Sequence, residues 1–104
     1  HLALAAEPRP TALVCQSDLL AGGAILAARE LDIPVPQGLS VTGFDGIELP
    51  WLAPLELTTQ VQDAEAKGHA LAAEVKALLA GESPAPVVMG LEMRVGTSTG
   101  PAAG

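Results

Sequence analysis

Ser17, Asp18 and Asp45 are the side chains whose types and positions suit chemistry. Ser17 and Asp18 follow a short apolar run, Leu13-Val14-Cys15, after Gln16. Asp45 closes a second run, Leu39-Ser40-Val41-Thr42-Gly43-Phe44, and Gly46 follows it. An ionised carboxylate accepts several hydrogen bonds and a serine hydroxyl both donates and accepts, so this set suits the hydroxyls of a sugar or polyol. The arrangements needed for covalent or metal chemistry do not accompany it. No nucleophile–base pair or phosphate-cradling loop is visible, and Gly43-Phe44-Asp45-Gly46 is not a dinucleotide fingerprint. His1 and His69 lack Cys or carboxylate companions at ligand spacing. The expectation is binding without catalysis, with no cofactor and no metal.

These residues must be positioned by a sheet. A helix-length segment, 19–31, separates the two apolar runs, which makes a βαβ unit with parallel strands. A right-handed crossover sets both polar tips at one edge of the sheet, where ligands of open α/β folds bind. Each residue also has a plainer reading. Asp18 is a competent N-cap for helix 19–31, Ser17 a simple turn serine, and Asp45-Gly46 a common turn dipeptide.

The rest of the chain reads as further layers of the same kind. Leu20, Ala24, Ala27, Ala28 and Leu31 recur at helical spacing. Gly22 and Gly23 are compatible with close approach to a sheet or a partner subunit. Residues 32–38 form a proline-stiffened turn. Residues 48–57, broken by prolines around Trp51, read as a short helix or surface loop. A third strand at 58–62 leads to a second helix, 64–80, with Asp63 as cap and Gly81 as terminator. Residues 87–95 read as a last strand interrupted by Gly90, and 97–104 as a frayed tail. Residues 2–7 read as the end of a preceding helix, stopped by Pro8 and Pro10.

Composition narrows the partners. The chain has 104 residues, enough for one small domain, and 49% are apolar. Phe44 and Trp51 are its only aromatics, so Ala, Leu and Val must build the core, and modest stability in isolation is expected. Twelve acidic residues face five scattered basic ones, a net charge of −7 that repels nucleic-acid phosphates and anionic lipid. Cys15 stands alone, which rules out an intrachain disulfide, suits a small buried hydrophobe and agrees with a cytoplasmic origin. No apolar run is long enough to span a membrane. The start at His1 without an initiator Met reads as a fragment or a processed product.

Four phrases, in order and at matching spacing, carry a family resemblance. The first is Arg9-Pro10-Thr11-Ala12, a short strand, then Ser17-Asp18. The second is Val35-Pro36-Gln37-Gly38-Leu39-Ser40-Val41-Thr42-Gly43-Phe44-Asp45, and the third is Leu57-Thr58-Thr59 with Gln62. The fourth is a helix containing Gly68, a Gly81-Glu82 turn, and the ending Arg94-Val95-Gly96-Thr97-Ser98-Thr99. Together they resemble the C-terminal part of the effector-binding domain of lac-repressor/galactose-repressor (LacI/GalR) family regulators. That resemblance implies an α/β, type I periplasmic-binding-protein-like fold, here a partial domain spanning 1–104. The DNA-binding head and the N-terminal subdomain would lie outside it.

The resemblance also implies roles. Asp45, Ser17, Asp18 and Gln62 correspond to effector-contact positions, with Ser17 standing where the family usually has Asn. Gln62 would either bridge effector and Asp45 or make an ordinary hydrogen bond between lobes. Trp51, Leu49 and Leu52, with Gly22 and Leu26 on the outer face of the first helix, would form a homodimer interface; a sugar-stacking platform is the other reading of Trp51. Helix 64–80 would pack on the N-terminal subdomain. The implied function is effector sensing, with a sugar or related small polar metabolite as the expected effector, in a cytoplasmic regulator that touches DNA only through its head. The alternative is a fragment of a periplasmic sugar-binding transport receptor of the same fold. A flavodoxin-like enzyme or receiver domain is disfavoured, because no acidic cluster with a strand-end lysine is visible.

Overall fold

The computed structural model describes residues 1–103. Gly104, the last residue of the expected tail, lies outside the described residues. The elements run β1 (Ala12–Val14), α1 (Asp18–Glu30), β2 (Ser40–Asp45), a 3-10 turn (Pro50–Leu52), β3 (Thr58–Val61), α2 (Ala64–Leu79) and β4 (Glu92–Arg94). They build one open sheet in the order β1-β2-β3-β4. β1, β2 and β3 are parallel, and β4 joins β3 antiparallel.

Local chemistry explains most boundaries. Ser17, in extended conformation, caps α1 by accepting a hydrogen bond from the Leu20 amide at 3.2 Å. The cap is therefore Ser17 and not Asp18, which is the first residue of the helix. α1 ends as the Ile33 amide bonds back to the Ala28 carbonyl across Asp32, whose φ is 55°. Asp63 caps α2 through the Ala66 amide at 2.9 Å. Gly81, at φ 80°, ends α2 while the Glu82 amide returns to the Ala77 carbonyl. Both α2 assignments agree with the sequence expectation.

The core lies between α1 and the sheet. Ala21, Gly22, Ile25 and Ala28 form the buried stripe of α1, whereas Leu20 and Leu31 are exposed. The expected stripe was rotated by about one residue, because α1 is apolar nearly all round and only the sheet selects a face. Small residues let the helix come close to Leu39 and Val41, and Leu4, Ile33, Leu52 and Leu57 complete the cluster. β1 is an edge strand: Leu13 and Cys15 pack on the core, but Val14 is 86% exposed. Burial still pushes the Cys15 thiol pKa above its ordinary value, which favours the protonated form.

Three expectations are corrected. Residues 1–8 contain turns rather than a helix end, although Leu4 is buried. The strand expected at 87–95 shrinks to Glu92–Arg94, because only those residues find a ladder on β3. The tail is anchored rather than frayed through Gly100. Ser98 is fully buried; its Oγ donates to the Val41 carbonyl at 2.6 Å and accepts from the Thr58 amide at 2.8 Å. The Val41 amide donates to the Ser98 carbonyl at 2.9 Å, so one serine bridges the amino ends of β2 and β3. Ser98→Ala would strand the buried Thr58 amide. We expect a loss of about 2 kcal/mol in chemical denaturation; an unchanged midpoint would refute this account of the tail.

α2 stands apart from this core. None of its residues is buried, and Leu71, Val75, Leu78 and Leu79 are exposed. The radius of gyration is 18.1 Å, against about 13 Å for a compact chain of this length. The long axis, 57 Å, reflects this projection.

Candidate functional site

The parallel strands bring their carboxyl ends to one edge. β2 and β3 are in register at Asp45 and Val61, so Gln62 follows directly beside Asp45. Ser17 sits beyond the end of β1, half-buried, with its hydroxyl oxygen committed to capping and its hydrogen left to donate.

Asp45 adopts φ 126° and Gly46 φ 84°, two consecutive left-handed residues that turn the chain sharply out of β2. For aspartate this region is strained. At Gly46 a side chain would also meet Val61, whose Cα lies 3.0 Å from the Cβ position. The turn leaves the Asp45 carboxylate over the end of β3. Its Oδ1 accepts from Gln62 Nε2 at 2.7 Å, and its carbonyl accepts from the Gln62 amide at 3.0 Å. Gln62 Oε1 in turn accepts from Lys67 Nζ on α2 at 3.3 Å. Lysine can only donate and carboxylate only accept, so the orientation of the Gln62 amide is determined. Asp45 Oδ2 remains to accept hydroxyl hydrogens, and the second Nε2 hydrogen of Gln62 remains to donate. One carboxylate and one amide side by side thus leave an acceptor and a donor free, an arrangement whose chemistry suits hydroxyl groups.

Asp18 lies beneath this edge, not on it. It is fully buried; Oδ2 accepts from the Gly46 and Ile47 amides, each at 2.8 Å, and Oδ1 from the Thr59 hydroxyl at 2.6 Å. Its carboxylate is thus occupied inside the protein. Gly43 makes room for it, since a side chain there would collide with Asp18 Oδ1 and with Leu57. Sequence reasoning missed Gly43, Thr59 and Lys67 as parts of this arrangement. An isolated glycine within a strand is a signal of close approach and could have revealed Gly43; nothing local distinguishes Thr59.

The five residues assigned to an interface separate. Trp51 is 48% exposed, and its ring lies on Gly22, where a Cβ would come within 2.6 Å of Trp51 Cη2. Leu49 is half-buried beside the same glycine, and Leu26 is exposed. Gly22 is buried under the indole, and Leu52 is a core residue at 1% exposure. These two support the surface from below and do not form it, because the 3-10 turn rolls Leu52 inward while Trp51 stays out.

A cavity of about 490 Å³ lies between residues 47–57 and Arg94–Gly96 and contains none of the candidate polar residues. Gln62 and Lys67 instead line a smaller cavity of about 320 Å³ beside Leu71, Met89 and Leu91. Convergent polar groups matter more than volume for orienting a polar ligand, which favours the strand edge. Among the described residues no group of three or more His, Cys, Asp or Glu side chains could hold a metal ion, and no helix is long and apolar enough to cross a membrane.

Residues 1–99 match the family of periplasmic binding protein-like domains. Over 69 residues, 66% of the chain, the sequence is 44% identical to the HTH-type transcriptional repressor PurR of Pectobacterium carotovorum and covers 20% of that protein. It is 45% identical over 78 residues, 73% of the chain, to the HTH-type transcriptional regulator MalR of Streptomyces coelicolor and covers 22% of it. The chain thus spans about a fifth of the length of these curated relatives. A crystal structure of a LacI family regulator from Bifidobacterium animalis superposes on 98% of the chain with a TM-score of 0.87 at 27% identity; the match covers 38% of that chain. A Lactobacillus casei LacI family regulator with bound glucose superposes on 94% with a TM-score of 0.73 at 28% identity, covering 36% of its chain.

Proposed function

Because the chain belongs to the periplasmic binding protein-like domain family and, within it, to the LacI-type regulators, we propose that it is the C-terminal portion of an effector-sensing and dimerising domain. The intact protein is a cytoplasmic transcriptional regulator, without catalytic activity, that reaches DNA through an N-terminal head. Its effector is a sugar or a related hydroxyl-rich metabolite. The observation that carries this reading is the Asp45–Gln62 pair, which offers an acceptor and a donor side by side at a strand edge. Ser17 adds a hydroxyl. The Lactobacillus casei regulator solved with glucose and with sucrose supports a hydroxyl-rich ligand for this fold. The transcriptional repressor and the transcriptional regulator among the curated relatives favour a regulator over a transport receptor.

Effector held between two lobes would stabilise one closure state, and the response would follow from its differential affinity for the two states. Calorimetric titration of the intact protein with mono- and disaccharides, alongside nucleobases and amino acids, tests the reading. Binding of a sugar or polyol supports it. Binding confined to ligands without hydroxyl arrays refutes the effector class.

The exposed part of Trp51, with Leu49 and Leu26, is the proposed dimer surface. Aromatic side chains are enriched in interface cores. Trp51→Glu would bury a charge there, and light scattering of the intact protein should show a shift from dimer to monomer. A Trp51→Glu protein that stays dimeric at micromolar concentration places the interface elsewhere.

A further inference from the structure

We infer that Asp18 is a positioning residue: its buried carboxylate holds the Asp45 turn in the strained conformation that presents Asp45 to Gln62. The functional importance of this arrangement rests on the reading of Asp45 as an effector contact; the geometry does not.

Three observations carry the inference. First, Asp18 bonds to the two residues that follow Asp45, accepting from the Gly46 and Ile47 amides at 2.8 Å each. Those amides emerge from a turn in which Asp45 has φ 126°, a region aspartate leaves unless something restrains it. Second, Asp18 is itself held. The Thr59 hydroxyl donates to Oδ1 at 2.6 Å, and the residue belongs to the first turn of α1, where the helix dipole favours an anion. Third, the protein makes room for it: Gly43, paired with Thr59 across the β2–β3 ladder, lacks the side chain that would displace Oδ1. The carboxylate therefore ties the start of α1, the exit of β2 and the body of β3 at one point. It passes the position of that point to Asp45 through two backbone amides.

A carboxylate that only stabilised the fold would lower stability on removal and leave the Asp45–Gln62 bond intact in the folded protein. The Gln62 side-chain amide reports on that bond directly. Its NMR signals in the intact, selectively 15N-labelled protein are assigned by their loss in Gln62→Leu, and Asp45→Ala defines the unpaired position. In Asp18→Ala the signals should move at least halfway to the unpaired position. Asp18→Asn keeps an acceptor oxygen for the Gly46 and Ile47 amides and should leave the signals near wild type. A folded Asp18→Ala protein with wild-type Gln62 signals overturns the inference, as does an Asn variant that shifts as far as the Ala variant. Should Asp18→Ala not fold, Thr59→Val decides: releasing Oδ1 should shift the signals in the same direction, and no shift overturns the inference. The comparison uses no ligand, so its failure is distinct from a failure of the effector reading, which the sugar titrations address.

Discussion

Gly43→Ala should cost about 2–4 kcal/mol of stability, a large effect for one methyl group in a strand. A Cβ at this position would overlap Asp18 Oδ1, approach Asp18 Cα at 3.1 Å and meet Leu57 Cδ2 at 2.9 Å. The leucine tip can move, but the carboxylate is pinned by three hydrogen bonds and the Cα belongs to the first turn of α1. Overpacking costs about 1–3 kcal/mol, and displacing Asp18 from a buried amide or hydroxyl costs about 1–3 kcal/mol more. The gain from a stiffer unfolded chain is only about 0.4–1 kcal/mol. Gly23→Ala is the control. It lies in α1 with nothing within 4 Å of the Cβ position, so alanine should stabilise by up to about 1 kcal/mol. Urea denaturation of the two variants should give shifts of opposite sign. A Gly43→Ala protein as stable as wild type would mean that Asp18 is not confined as described.

Asp45→Ala should weaken effector binding roughly 100-fold, because hydrogen bonds to a charged acceptor are each worth about 1.5–3 kcal/mol. Asp45→Gly separates this effect from folding. Glycine accepts φ 126° without strain, which returns about 1–3 kcal/mol. Against that stand the lost bond to Gln62, about 1 kcal/mol, and the entropy of glycine, about 0.5–1 kcal/mol. The Gly variant should therefore fold within about 1 kcal/mol of wild type and still lose affinity as the Ala variant does. Such a pair would identify Asp45 as a residue that serves binding rather than stability. Calorimetry with the sugar that binds the wild-type protein provides the measurement. Equal affinity in wild type and Asp45→Gly would remove Asp45 from the site.

The α/β class and most helix and strand boundaries were legible because their signals are local. Asp63 lies three residues from the amide it caps, and Gly81 ends α2 at the residue that reads as a stop. The apolar runs on either side of α1 became β1 and β2 in parallel, as a helix-length connection requires. The same locality explains the errors. Ser17 and Asp18 are both good caps, and adjacent residues of equal competence cannot be ranked by local chemistry. The difference is that Asp18 finds partners 28, 29 and 41 residues away. Ser98 looked like frayed tail because its partners, Thr58 and Val41, are 40 and 57 residues distant.

Residue type and short-range spacing thus determined the α/β alternation, the cap and stop of α2, the absence of an intrachain disulfide, and the placing of Ser17 and Asp45 at strand ends; Gln62 came from the family resemblance. The tertiary structure decided which face of α1 is buried, that Asp18 works beneath the edge rather than on it, that Leu52 is core while Trp51 is surface, and that the C-terminal serine bridges two strands. The physical reason is common to all four. A helix apolar nearly all round, a buried carboxylate and a tail hydroxyl each have several local solutions of similar energy. The choice among them is made by buried donors and close-packed surfaces that only the assembled sheet supplies.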